Sequence, residues 1–189
     1  MPTESALVVI VPEAEDLVGA FRSRFDPSAA AGVPAHITIL YPFKTPSELS
    51  AEVIGKLRAL FANISSFDVR LTKLERFPFV LYLALEPAEP LRQVINMVTD
   101  SFPEAPPYGG KVQDIIPHLT VAHAADCHEL ERIAADLQRQ ANGHLPIQST
   151  VREIVLMVNE SGRWEIRKRF ALARDQSGSF AAGGRPSIR

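Results

Sequence analysis

Cysteine and long apolar segments are scarce in this sequence. Cys127 is the only cysteine among 189 residues, so no disulfide can form within the chain. The apolar runs over 6–11 and 79–85 are far shorter than the ~20 residues that a membrane-spanning helix needs. The first ten residues, MPTESALVVI, lack the basic-then-apolar order of a secretory signal sequence. We therefore expect a cytoplasmic protein that has no membrane partner.

The sequence also has no basic tract. Its 20 Lys+Arg and 22 Asp+Glu residues are interspersed along the chain and give a net charge of −2. A protein that follows a long nucleic-acid backbone neutralises many phosphates with Lys and Arg. The charge pattern therefore argues against an extended duplex as a partner, and it favours a small phosphate ligand or a single RNA terminus.

The composition is that of an ordinary globular protein, with 46% hydrophobic and 22% charged residues. A chain of 189 residues is within the usual size range of one domain. Residues 174–189 have no apolar periodicity and are rich in Gly, Ser and Ala, which predicts a flexible C-terminal tail. We expect residues 1–173 to form a single two-lobed domain, and we expect a monomer.

The same order of elements is predicted twice. After a strand over 6–11, the pattern predicts a helix, a strand from His36, a helix with Thr45 as its N-cap, and two strands. The second half repeats this with a strand at His118, a helix with Asp126 as its N-cap, and strands over 147–158 and 164–172. His36 and His118 are 118 − 36 = 82 residues apart, and the two caps are 126 − 45 = 81 apart. We therefore predict an α+β fold of two α-β-α-β-β units, about 6–86 and 87–173, related by a pseudo-two-fold axis.

Two histidines occupy equivalent places in these units. Because successive side chains of a strand alternate between its faces, His36 and Thr38 share one face of the first strand. His118 and Thr120 share one face of the second strand in the same way. Each strand would thus give one polar pair to a cleft and would turn its apolar residues to a core.

These residue types suit the cleavage of a phosphodiester. The reaction needs a base for the attacking oxygen and an acid for the departing oxygen, and imidazole can be either near neutral pH. Two threonine hydroxyls can donate to the nonbridging phosphate oxygens as charge builds in the transition state. This chemistry needs no metal and no cofactor, and it predicts a bell-shaped pH–rate profile with limbs on either side of neutral.

The two motifs His36-Ile37-Thr38 and His118-Leu119-Thr120 resemble the paired His-x-Thr signatures of the two-histidine (2H) phosphoesterase superfamily. This superfamily includes 2′–5′ RNA ligases and cyclic nucleotide phosphodiesterases, and the likeness covers about residues 6–172. The resemblance implies a bilobal fold with two antiparallel sheets around a central cleft. It implies catalytic roles for His36 and His118, and phosphate binding by Thr38 and Thr120. The implied substrate is a 2′,3′-cyclic phosphate or a 2′–5′ linkage, in hydrolysis or in the reverse ligation.

Two alternatives stay open at this point. The same cleft could be a binding module that recognises an RNA end or a phosphorylated nucleotide without turnover. A metal-dependent hydrolase is suggested by His118, His123, Cys127 and His128, which are close in sequence. A regular strand would, however, place His123 on the face opposite His118, and the other two would point in different directions at the start of a helix.

Three aromatic residues are candidates for contact with the substrate. Tyr41 and Phe43 follow the first motif, and Tyr108 lies in the loop that enters the second. Aromatic rings can stack on a nucleobase. If the first strand stays regular, however, Tyr41 and Phe43 lie on the same face as Ile37 and pack in the core instead.

Overall fold

The computed structural model describes residues 3–111 and 115–174. The strands are β1 (Glu4–Ile10), β2 (His36–Leu40), β3 (Phe67–Phe77), β4 (Val80–Glu86), β5 (His118–His123), β6 (Ile147–Val151), β7 (Glu153–Asn159) and β8 (Trp164–Ala171). The helices are α1 (Glu15–Phe25), α2 (Pro27–Ala30), α3 (Ala51–Ala62), α4 (Glu89–Ser101) and α5 (Cys127–Ala141). The tail predicted over 174–189 lies, beyond its first residue, outside the described residues.

Within the described chain the strands form one antiparallel sheet of eight strands, in the order β6-β3-β4-β5-β2-β1-β7-β8. The sheet consists of two four-stranded halves, and β2 and β5 join them through a short pairing at Ile37 and Leu119. The predicted α+β class is confirmed. The sequence predicted two sheets. They correspond to these two halves, which hydrogen bonds between β2 and β5 join into one sheet.

The two halves of the sheet are not the two halves of the sequence. Strands β1 and β2 pair with β7 and β8, whereas β3 and β4 pair with β5 and β6. Each half-sheet therefore combines strands from both sequence units. The strand predicted over 147–158 is in fact two strands, because β6 pairs with β3 while β7 pairs with β1 in the other half. A continuous apolar pattern does not reveal that its two ends have different partners.

The core lies between the helices and one face of the sheet. The side chains predicted for the core face of α5 are all buried there: Leu130, Ile133, Leu137 and Ala141. Burial of such side chains stabilises the fold by roughly 1.5–3 kcal/mol for each large aliphatic residue. In the part of the chain that the structure describes, no helix is long and apolar enough to cross a membrane.

Both predicted helix caps form, but one of them caps a different helix. Asp126 accepts a hydrogen bond from the main-chain N–H of Glu129 at 2.8 Å and begins α5 as predicted. The capping box of Thr45 and Glu48 begins a separate 3₁₀ turn, Pro46–Glu48. Helix α3 starts at Ala51 and has its own cap, Ser50. The apolar spacing continued across the boundary, so the pattern predicted one helix instead of two.

Candidate active site

The two His-x-Thr motifs meet at the junction of the half-sheets. Ile37 of β2 pairs with Leu119 of β5 in antiparallel register. One residue further in either direction, this register sets His36 beside Thr120, and Thr38 beside His118. All four side chains line one cleft of about 840 Å³. The residues predicted from sequence to carry the chemistry therefore lie together, and each histidine is adjacent to the threonine of the other motif.

The two histidines have the same main-chain partner. Nδ1 of His36 lies 2.8 Å from the carbonyl oxygen of Pro34, and Nδ1 of His118 lies 2.7 Å from that of Ile116. A carbonyl oxygen only accepts, so each Nδ1 carries the hydrogen that makes this bond. In a neutral ring the other nitrogen, Nε2, then has a free lone pair. The cleft thus presents two Nε2 atoms that can take up or deliver a proton.

A buried ion pair lies behind His36. The Arg22 side chain is 2% exposed, and its Nε and Nη2 donate to Oδ2 of Asp26 at 3.1 and 2.8 Å. Nη2 of Arg22 also lies 3.4 Å from Nδ1 of His36. Burial and the Arg22 charge together lower the pKa of His36 to about 4. His36 is therefore held in its neutral form across the neutral pH range.

His118 has aromatic neighbours instead of an ion pair. Its ring contacts Phe77 edge-on at a centroid distance of 5.1 Å and Tyr82 at 5.0 Å. Burial lowers the pKa of His118, and the charge of His123 contributes in the same direction. No arginine is among the causes of this shift, so the surroundings of the two histidines differ although their main-chain partners match.

Matched β-bulges follow the two motifs. In β2, Thr38 pairs with Val8 and Leu40 pairs with Leu7, which leaves Ile39 without a partner in β1. In β5, the pairings of Thr120 with Tyr82 and of Ala122 with Leu81 pass over Val121 in the same way. A bulge inserts one extra residue and shifts the alternation of the side chains that follow. Both strands therefore change face three residues after the histidine.

These bulges correct two expectations that assumed regular strands. Tyr41 lines the cleft, with its ring edge-on to Trp164 at 6.1 Å, and does not pack in the core below Ile37. His123 lines the cleft on the same side as His118 instead of the opposite side. Tyr41 and His123 each lie five residues after a motif histidine (41 − 36 and 123 − 118) and occupy equivalent positions.

The other two aromatic candidates lie in different places, one in the cleft and one in the core. Tyr108 lines the cleft, and its main-chain N–H donates to the carbonyl oxygen of Tyr41 at 2.7 Å. Phe43 is buried against Phe102 with ring centroids 5.1 Å apart. Phe43 therefore lies in the core and is not part of the cleft lining.

Several residues in the cleft or behind it had no signal in the sequence. Glu4 and Trp164 reach the cleft through the pairing of β1, β7 and β8, and Phe77 does so through β3. Arg22 is placed by α1. Among the described residues, no three His, Cys, Asp or Glu side chains are grouped so that they could hold a metal ion.

An antiparallel sheet whose halves meet at two His-x-Thr strands defines the two-histidine phosphoesterase class of fold. Residues 10–163 match the family model described as the 2′-5′ RNA ligase superfamily. The chain belongs to this superfamily, as the resemblance of its motifs predicted.

The matches with relatives and solved structures cover almost the whole length of those proteins. A Bacillus pumilus protein with the provisional name phosphoesterase is 27% identical over 175 residues, which is 89% of this chain and 97% of the relative. A similar protein from Bacillus licheniformis is 26% identical over 87% of this chain and 96% of its own. E. coli LigT, solved in complex with 3′-AMP, superposes with a TM-score of 0.57 at 20% identity, over 91% of this chain and 99% of LigT. A Thermus thermophilus structure gives 0.56 at 16% identity, over 92% of this chain and 100% of its own. At these identities the superpositions show the shared fold.

Proposed function

We propose that this protein is a metal-independent phosphoesterase that acts on 2′,3′-cyclic phosphates or 2′–5′ phosphodiesters of nucleotides or RNA ends. The observation that carries the proposal is the pair of His-x-Thr strands lining one cleft, with Nδ1 of each ring engaged by a main-chain carbonyl. Membership of the superfamily and the provisional names of the relatives support it. The ligands in the LigT structures, 3′-AMP, NADP+ and ATP, are nucleotides and are consistent with this substrate class.

The two histidines have different roles in this proposal. His36 is the general base, because the adjacent Arg22 disfavours a second positive charge there. In hydrolysis of a cyclic phosphate, Nε2 of His36 takes a proton from water while the water oxygen bonds to phosphorus. The bond from phosphorus to one ribose oxygen breaks, and that oxygen receives the proton on Nε2 of His118. The product is a nucleoside monophosphate. In ligation, a hydroxyl of a second RNA end would take the place of water, and the same two histidines would transfer the protons.

The threonine hydroxyls stabilise the transition state in this scheme. Thr38 and Thr120 line the cleft beside the histidines of the opposite motifs. Each hydroxyl can donate to a nonbridging oxygen whose charge grows during the reaction. We expect Thr38→Val and Thr120→Val each to lower kcat by about 10²–10³-fold, in the range of a lost oxyanion donor, with a smaller change in KM. Steady-state kinetics on a 2′,3′-cyclic nucleotide measures this split, and a rise in KM alone would contradict the assigned role.

The pH dependence follows from the two histidine pKa values. The base must be neutral, so kcat/KM rises as pH increases through the pKa of His36, about 4. The acid must be protonated, so kcat/KM falls as pH increases through the lowered pKa of His118, below 6.5. We therefore expect a bell whose maximum lies on the acid side of neutral, in place of one centred on neutral. A profile of kcat/KM from pH 3.5 to 9 tests this, and a rate that keeps rising above pH 7 would exclude this pair of roles.

A substrate screen tests the function itself. EDTA-treated protein is incubated with 2′,3′-cyclic nucleotides, ADP-ribose cyclic phosphate and 2′–5′-linked dinucleotides, and products are followed by phosphorus NMR. We expect conversion of a cyclic substrate to a monophosphate without added metal. Activity that disappears with EDTA and returns with zinc would exclude the metal-independent mechanism. Tight binding without turnover of any substrate would favour a binding module.

A further inference from the structure

The cleft has two chemically different ends. The equivalent positions two residues after the bulges hold Tyr41 at one end and His123 at the other. Beside Tyr41 the cleft face of the half-sheet is apolar and carries a small separate core: Ala6, Val8, Val33, Val155 and Met157. Trp164 and Tyr41 are partly buried against this cluster. One end therefore presents an apolar surface with two aromatic rings, and the other presents the imidazole of His123 near Phe77.

The aromatic surface offers two ring faces to a planar group. The rings of Tyr41 and Trp164 meet edge-on, with centroids 6.1 Å apart and planes inclined at 64°. Both rings keep exposed surface and line the same cleft as His36. Every nucleobase can stack favourably on such a ring, because each base has an aromatic face. The apolar floor below the rings offers no competing hydrogen bonds to a base.

Glu4 places a carboxylate beside this surface. Its Oε2 accepts a hydrogen bond from the Tyr41 hydroxyl at 2.7 Å, which orients the carboxylate at the edge of the cleft. Among the described residues, no donor contacts its other oxygen, Oε1. A carboxylate repels the phosphate on which the histidines act, and it only accepts hydrogen bonds. It therefore suits a part of the substrate that carries N–H donors and lies away from the phosphorus.

We infer that Glu4, Tyr41 and Trp164 form a nucleobase subsite that prefers guanine, an inference that rests on the proposed function. Guanine places two N–H donors, on N1 and N2, side by side, which matches a carboxylate in a bidentate contact. Adenine and cytosine each offer one amino group beside a ring acceptor. Uracil offers one N–H between two carbonyl oxygens, and these oxygens repel a carboxylate. The expected order of affinity is guanine first and uracil last.

The single tryptophan of the chain allows a direct binding test. Trp164 is that residue, and a base stacked on it changes its fluorescence. The full chain is titrated with guanosine 3′-monophosphate, uridine 3′-monophosphate and ribose 5-phosphate. We expect guanosine monophosphate to quench the emission with a Kd at least about tenfold below that of the uridine compound, given the strength of charge-assisted hydrogen bonds. Ribose 5-phosphate should leave the emission unchanged. Equal affinities, or quenching by the sugar phosphate alone, would overturn the subsite.

A substitution with a matched control separates the subsite from the chemistry. Glu4→Gln keeps an acceptor for the Tyr41 hydroxyl but loses the charge, so the guanosine-to-uridine ratio in kcat/KM should fall about tenfold. Glu75→Gln changes a similar pair, in which the Tyr82 hydroxyl donates to Glu75 at 3.0 Å outside the cleft lining, and should leave the ratio unchanged. Hydrolysis with no base preference would overturn the subsite and leave the proposed function. Guanine-selective binding without hydrolysis of any cyclic phosphate would support the subsite and overturn the function.

Discussion

His118→Ala is expected to lower kcat on a cyclic phosphate by about 10²–10⁴-fold, the usual contribution of a general acid. The leaving ribose oxygen would depart without a proton, because no other group in the scheme is assigned to supply one. His36→Ala should have an effect of similar size, since the attacking water would lose its base. Affinity for a nucleoside monophosphate should change by much less, and Trp164 fluorescence measures it in the same samples.

His123→Ala is the matched control for these variants. His123 lies on the same strand as His118 and lines the same cleft, but it has no assigned proton transfer. Its removal should cost far less activity than removal of His118. The double variant of His36 and His118 should be little worse than either single one, because groups that act as a unit are not additive. Wild-type kcat in either single variant, or a larger loss in His123→Ala, would refute the assigned pair.

Arg22→Met is expected to produce the largest loss of stability. Arg22 and Asp26 form an ion pair whose side chains are both 2% exposed. Removing one partner leaves a buried carboxylate without its counter-charge, which costs about 3–5 kcal/mol in the free energy of unfolding. Arg139→Met is a control, because its i,i+3 pair with Asp136 is exposed and should contribute only about 0–1 kcal/mol. Urea denaturation measures both variants.

A second substitution checks that the loss comes from the unpaired charge. Adding Asp26→Asn to Arg22→Met removes the buried carboxylate charge and should restore part of the lost stability. No recovery, or an Arg22→Met loss no larger than that of Arg139→Met, would contradict this account of the pair.

Arg22→Met by itself also tests the role of His36. Arg22 lowers the pKa of His36, whereas Asp26 raises it. Without the arginine, the pKa of His36 should rise from about 4 towards its ordinary value of 6.5. The acid limb of kcat/KM should move to higher pH with it. NMR titration of the His36 ring measures the shift directly, and an unchanged pKa would remove the electrostatic basis for assigning His36 as the base.

Much of the site could be predicted from residues that are close in sequence. The period of two in each motif strand correctly grouped His36 with Thr38 and His118 with Thr120, because alternation is a property of the strand backbone itself. The duplication indicated that the two strands are equivalent. Alternation fails at the third residue after each histidine. It therefore assigned Tyr41 and His123, which lie beyond that point, to the wrong face. The bulges at Ile39 and Val121 arise only from pairing with β1 and β4.

The sequence by itself therefore determined the α+β class, the two His-x-Thr pairs and the family, since these depend on local backbone geometry and on motif spacing. Only the tertiary structure decided how the pairs differ and what surrounds them. Arg22 lies behind one histidine, and Glu4 and Trp164 come together from distant parts of the chain. These placements depend on which strands pair and in which register. Pairing joins strands that are far apart in sequence, and the bulges shift the register between them, so no short segment contains that information.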